Sequence, residues 1–183
     1  MTHRLRMKRE LLQSEPKQPK ESSIDRQIRH SKIVFAMSDQ YLAQCDTGPE
    51  YLKEPQAAAI VENSILFGAD IRYDLFAFVI MSNHVHVLLT PHWTLEKITQ
   101  GIKGFTANQI NKMQDTQSRV FWQSESYDHW PRDDDEFYRI ISYIENNPVD
   151  AGLCAVPAEW PYSSASKRKN WLLGQPFRAD MLR

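Results

Sequence analysis

The chain has 183 residues, 42% of them hydrophobic, enough to bury one core with terminal segments beside it but cramped for two full domains. The longest apolar stretch, Leu75 to Leu89, is interrupted by Ser82, Asn83, His84 and His86, so no run reaches the roughly 18 to 20 apolar residues that a bilayer span needs. The formal net charge of −1 conceals two positive ends: residues 1–32 carry nine Lys/Arg against four Asp/Glu, residues 33–166 eight against eighteen, and residues 167–183 five against one.

The N-terminal stretch MTHRLRMKRELLQSEPKQPKES is basic but has no apolar h-region, which argues against a secretory signal and for a cytoplasmic protein. Residues 1–30 read as a basic arm, since Leu11 to Arg29 is rich in Gln, Lys, Pro, Ser and Glu. The globular part is expected over residues 31–166, followed by a basic tail over 167–183. Cys45 and Cys154 have no CxxC spacing, which removes a disulfide framework and a cysteine zinc site.

Ser31 to Met37 reads as a first strand. Glu54 to Phe67 has a helical pattern, with Pro55 suited to the first turn and Gly68 to the residue past the end. Tyr73 to Ile80 and His84 to Leu89 are rich in aromatic and β-branched residues and are separated only by a short polar break at Ser82-Asn83, the pattern of a tight hairpin. Thr94 is placed to cap a second helix whose Leu95, Ile98, Ile102 and Phe105 recur at helical spacing. Val120 to Trp122 reads as a short strand. Asp133 to Glu136 puts acids at the positive end of a third helix with Phe137, Ile140, Ile141 and Ile144 as its core stripe, and Pro148 is expected to end it near Asn147. The order β-α-β-β-α-β-α implies an α+β fold, a ferredoxin-like or RRM-like sandwich with a mainly antiparallel sheet and helices on one face.

Three features in this frame can carry chemistry. In a strand, His84 and His86 point to the same side, about 7 Å apart at Cα, as a pair gripping one metal ion must; two half-buried histidines without a ligand are the plainer reading. Tyr143 and Asn147, four residues apart on the last helix, share a face offset from the core stripe. They present a phenol that can act as a nucleophile beside a carboxamide, or else a packing residue and a helix cap. Arg139, four residues before Tyr143, has a phosphate-binding side chain, although Glu136 or Asp135 could pair with it.

The segments Phe78-Val-Ile-Met-Ser-Asn-His-Val-His-Val-Leu-Leu89, Tyr143-Ile-Glu-Asn-Asn-Pro-Val-Asp-Ala-Gly-Leu153 and Pro157-Ala-Glu-Trp-Pro-Tyr-Ser-Ser164 resemble, in order, the three signature blocks of the IS200-like (Y1) transposase superfamily, and in particular its branch associated with repetitive extragenic palindromes. The resemblance spans roughly residues 31–166. It implies a ferredoxin-like HUH nuclease domain with His84, His86 and Asn147 as ligands of Mg²⁺ or Mn²⁺, and Tyr143 as the nucleophile that becomes linked to the 5′-phosphate of cleaved single-stranded DNA. Many insertion-sequence members carry glutamine where this chain has Asn147. Further DNA contacts are expected from Arg139, from Arg4, Arg6, Lys8 and Arg9 of the arm, from Lys167, Arg168 and Lys169 of the tail, and from Trp130, whose ring could stack on bases. The resemblance also implies a nucleoid-associated protein, a hairpin or palindromic DNA partner, and a homodimer as one assembly, since in the wider family the tyrosine helix can complete a partner's site. A domesticated DNA-binding protein with weak catalysis and a metal-dependent phosphodiesterase using water are the alternatives.

Overall fold

Pro55 opens the helix α1 (Pro55–Gly68), because a proline at this position removes only an N–H that has no helical partner. The structure is a computed structural model and describes residues 14, 22, 49–117, 119–123, 131, 133–168 and 176; the strand expected at residues 31–37 lies outside them. The chain divides into two compact units, Met1–Gly48 with Ser124–Arg132 and Pro49–Gln123 with Asp133–Arg183. The second holds α1, the hairpin β1 (Tyr73–Ile80) and β2 (Val85–Pro91), and the helices α2 (Leu95–Met113), α3 (Asp134–Asp150) and α4 (Ser164–Lys167).

β1 and β2 pair antiparallel from Tyr73↔Pro91 to Ile80↔Val85, and the register shifts between Leu75 and Ala77, a β-bulge in β1. Alternation on either side of the bulge gives the ribbon two buried faces. Tyr73, Leu75, Phe78 and Ile80 pack with Ala57, Ala58, Val61 and Ile65 of α1 and Ile98 and Ile110 of α2. Ala77, Val79 and Leu88 pack on the other side with Ile141 and Ile144 of α3. The α+β class is as expected, but helices on one face alone is corrected: α1 and α2 cover one side and α3 the other, because both alternating sets of β1 are apolar.

Four local differences have physical causes. Gly68 ends α1 from inside the helix rather than just past it, with Ala69 in the capping position. A Cβ on Gly68 would fall on the Tyr73 phenol; the glycine leaves room for Tyr73 to donate to Ile65 O at 2.6 Å, capping one of the carbonyls at the helix end. On α2 the buried positions are Ile98, Thr106, Ile110 and Asn111 while Phe105 is exposed, so the inward face runs along Ile98, Thr106 and Ile110 rather than through Phe105. Residues 120–122 form no strand; Trp122 is held by its side chain, Nε1 donating to Thr106 Oγ1 at 2.9 Å, and Phe121 stacks on Tyr51.

Pro148 does not stop α3 at Asn147. It sits inside the helix, buried, and the helix runs on to Asp150. A proline removes one N–H, and the turn after it closes through Ala151 N–H to Asn147 O at 3.0 Å and Leu153 N–H to Pro148 O at 2.8 Å. At the other end Asp133 caps the helix by accepting from Glu136 N–H at 2.7 Å.

The edge of β1 away from β2 is closed by the returning chain. Ile80 N–H donates to Tyr162 O at 2.9 Å, Val79 and Ser163 form an antiparallel bridge, and Trp160 Nε1 donates to Ile80 O at 2.9 Å. Trp160-Pro-Tyr-Ser-Ser164 thus serves to close this edge of the sheet.

Candidate active site

The strands are joined by the four residues Met81–His84, with Ser82-Asn83 at the tip, closed by Met81 N–H to His84 O at 2.9 Å and tied by Leu52 N–H to Ser82 O at 3.0 Å to the short helical turn Tyr51–Lys53. This fixes the approach of His84 to β2. His86 pairs in register with Val79, so its side chain lies on the face covered by α3, and His84, two residues earlier, follows it there. Both imidazoles are buried, at 8% and 9% exposure, with ring centroids 4.9 Å apart at a steep angle.

α3 brings the phenol to this pair. The Tyr143 ring lies 5.9 Å from that of His86, edge to face, and Tyr143 packs against the cluster containing Ile141, Ile144 and Val79. Asn147, one turn further along, is also buried. Histidines and tyrosine therefore meet within one chain, from elements more than fifty positions apart in sequence.

Asn83, read from sequence only as part of a polar break, lies 2.6 Å through Oδ1 from His84 Nδ1. A carboxamide oxygen only accepts, so Nδ1 carries the proton and the Nε2 of this tautomer keeps its lone pair. That is how an outer partner orients a histidine ligand. Among the described residues no group of three or more His, Cys, Asp or Glu side chains is placed to hold a metal ion. Two imidazole nitrogens with an amide oxygen would be a donor set that suits a divalent ion of intermediate hardness.

Arg139 is exposed on α3, one turn before Tyr143. Lys167 and Arg168 have intramolecular partners: Lys167 Nζ lies 3.1 Å from Glu62 Oε1, and Arg168 Nε lies 2.7 Å from Glu145 Oε1 with both side chains nearly buried. Arg4, Arg6, Lys8, Arg9, Trp130 and Lys169 lie outside the described residues. No described helix is long and apolar enough to cross a membrane.

The family model described as Transposase IS200 like matches residues 59–147. Over 104 residues the chain is 26% identical to a REP-associated tyrosine transposase of Haemophilus influenzae, a match covering 50% of this chain and 58% of that protein. No solved structure matches the chain. The matched stretch contains His84, His86, Tyr143 and Asn147, the residues that converge on one side of the hairpin or lie one turn from it, and over it the chain is similar to the IS200-like transposases and to a REP-associated relative of which it spans little more than half the length.

Proposed function

We propose that the protein is a metal-dependent single-strand DNA endonuclease and strand-transferase, acting at hairpin or palindromic DNA through a 5′-phosphotyrosine intermediate on Tyr143. The observation that carries this reading is the Tyr143 ring set against His86 in a buried histidine pair. In the reaction the Tyr143 oxygen forms a bond to the scissile phosphorus and the bond from phosphorus to the 3′ oxygen breaks. The tyrosine loses its proton, and the departing 3′ oxygen gains one and is left as a hydroxyl. The covalent link conserves the phosphodiester energy, so rejoining needs only attack by a second 3′-hydroxyl, and no ATP.

The placement of Tyr143 beside the histidine pair does part of the work by holding the nucleophile within reach. His84, His86 and Asn147 are the residues that would hold Mg²⁺ or Mn²⁺, which when bound polarises the phosphate as a Lewis acid. Asn83 keeps His84 in the tautomer that can ligate. Arg139, exposed one turn before Tyr143, is suited to a neighbouring phosphate. In this reading the catalytic domain spans residues 31–166, the arm and the remaining tail contact the DNA backbone, and the substrate contains the repetitive palindromes that give the relative its name.

The test is a denaturing gel for covalent protein–DNA adducts, with wild type and Tyr143→Phe incubated with labelled single-stranded hairpin DNA from the gene's own flanks, with Mg²⁺ or EDTA. The expected result is a metal-dependent adduct that Tyr143→Phe abolishes. Cleavage without an adduct and untouched by Tyr143→Phe would replace tyrosine attack by water attack.

A further inference from the structure

Three groups on the outer edge of β1 are met by three successive partners from the returning chain. Ile80 N–H finds the Tyr162 carbonyl at 2.9 Å. Phe78 N–H, just past the bulge, donates to Ser164 Oγ at 3.1 Å. The Phe76 carbonyl, at the bulge itself, accepts from Arg168 Nη2 at 2.6 Å. Backbone pairing gives way to a hydroxyl and then a guanidinium as the chain turns into α4, and the last two continue to one atom. Ser164 Oγ donates to Glu145 Oε1 at 2.6 Å and Arg168 Nε to the same oxygen at 2.7 Å.

Glu145 stands on α3 two residues after Tyr143. At about 100° per residue the two side chains leave the helix about 160° apart, and the stripe of Phe137, Ile141, Ile144 and Pro148 lies between them. The stripe faces the sheet, with Tyr143 and Asn147 flanking it on the histidine side and Glu145 on the side of the β1 edge. Apolar packing resists separation of helix and sheet but is non-directional; it opposes rotation of the helix about its own axis weakly. Such a roll would carry the Tyr143 ring toward or away from His86. A carboxylate with two charge-assisted or short hydrogen bonds, anchored through them to backbone groups of β1, is directional.

We infer that Glu145, Ser164 and Arg168 form a positioning clamp that fixes the roll of the tyrosine helix against the histidine-bearing hairpin. The clamp acts through Tyr143 and touches no substrate. The inference rests on Tyr143 being the nucleophile. It assigns Arg168 to the interior of the catalytic unit rather than to the DNA backbone, and it explains why a glutamate on the tyrosine helix is buried together with an arginine from the end of the domain.

Removing one partner alone would leave a buried charge and confound folding with positioning, whereas replacing both by apolar groups of similar volume commonly preserves stability. The experiment therefore compares wild type, the double variant Glu145→Leu/Arg168→Met and Tyr143→Ala in the full chain. The His86 ring proton signals in NMR spectra without DNA or metal report the nearby Tyr143 ring independently of activity, and single-turnover adduct formation on the hairpin substrate reports catalysis. The clamp predicts a cooperatively folded double variant whose His86 signal moves in the direction seen for Tyr143→Ala, with a rate constant at saturating DNA lowered at least tenfold and DNA affinity within about twofold of wild type. An unmoved His86 signal, or an unchanged rate constant with wild-type adduct formation intact, overturns it. If wild type itself forms no adduct, the reading of Tyr143 as nucleophile fails, while the His86 signal still decides whether the clamp holds the helix.

Discussion

Replacing Tyr73 by phenylalanine should alter stability in a way that depends on pH, and the structure sets both sign and size. Tyr73 is fully buried, and its hydroxyl donates to Ile65 O at 2.6 Å. Burial pushes its pKa up from 10.0 to about 12, against a smaller opposing pull from Arg72. The unfolded chain therefore releases this proton before the folded one does, so the contribution is whole below pH 10 and is lost as pH rises through 12. At about 1.4 kcal/mol per pKa unit the full loss approaches 3 kcal/mol, with about 1.4 kcal/mol gone by pH 11. At pH 8, Tyr73→Phe loses the hydrogen bond and leaves a helix-end carbonyl without its donor, a cost of about 1 to 3 kcal/mol. Urea unfolding of both proteins at pH 8, 10 and 11 isolates the effect, since the other tyrosines cancel in the difference. The advantage of wild type should shrink by about 1.4 kcal/mol between pH 8 and 11. A constant gap over that range would refute the assignment of a raised pKa to this phenol.

Gly68→Ala should destabilise by about 1 to 3 kcal/mol, because its Cβ would displace the Tyr73 phenol; a thermal melt no lower than wild type would show that the contact relaxes freely. Ile141→Ala, at a fully buried contact between α3 and the sheet, should cost about 2 to 5 kcal/mol in urea unfolding. Asn83→Ala should weaken Mn²⁺ binding by about 10- to 100-fold in calorimetry without changing the melting temperature in EDTA, if holding the His84 tautomer is its role; equal affinity in the two proteins would remove Asn83 from the site.

The hairpin and the helices covering it were legible because each carries its own period. Alternation in residues 73–89 placed His84 and His86 together, and four-residue spacing placed Tyr143 beside Asn147. What the sequence did not disclose depends on contacts between distant segments. Both alternating sets of β1 are apolar and the register shifts between Leu75 and Ala77, so coverage by α3 from the opposite side was hidden. Pro148 carried the usual statistical signal for a helix end, yet one missing N–H is tolerable where packing holds the turns on both sides. Asn83 looked like turn punctuation, and only the fold reveals its oxygen at His84. The tail cations Lys167 and Arg168 read as DNA contacts because their carboxylate partners lie 105 and 23 positions away in the chain.

The closed edge of β1 bears on the order in which the molecule folds. The hairpin joins neighbours and can form within microseconds of both strands becoming available, but the hydrogen bonds sealing its outer edge join residues 80 to 92 positions apart. Until Trp160 to Arg168 arrive, β1 offers a row of unpaired backbone groups to any strand nearby, the condition under which chains join edge to edge instead of folding. Shortening the protein to end before Trp160 would make that temporary exposure permanent, and the expected product is an aggregate rather than a smaller folded protein.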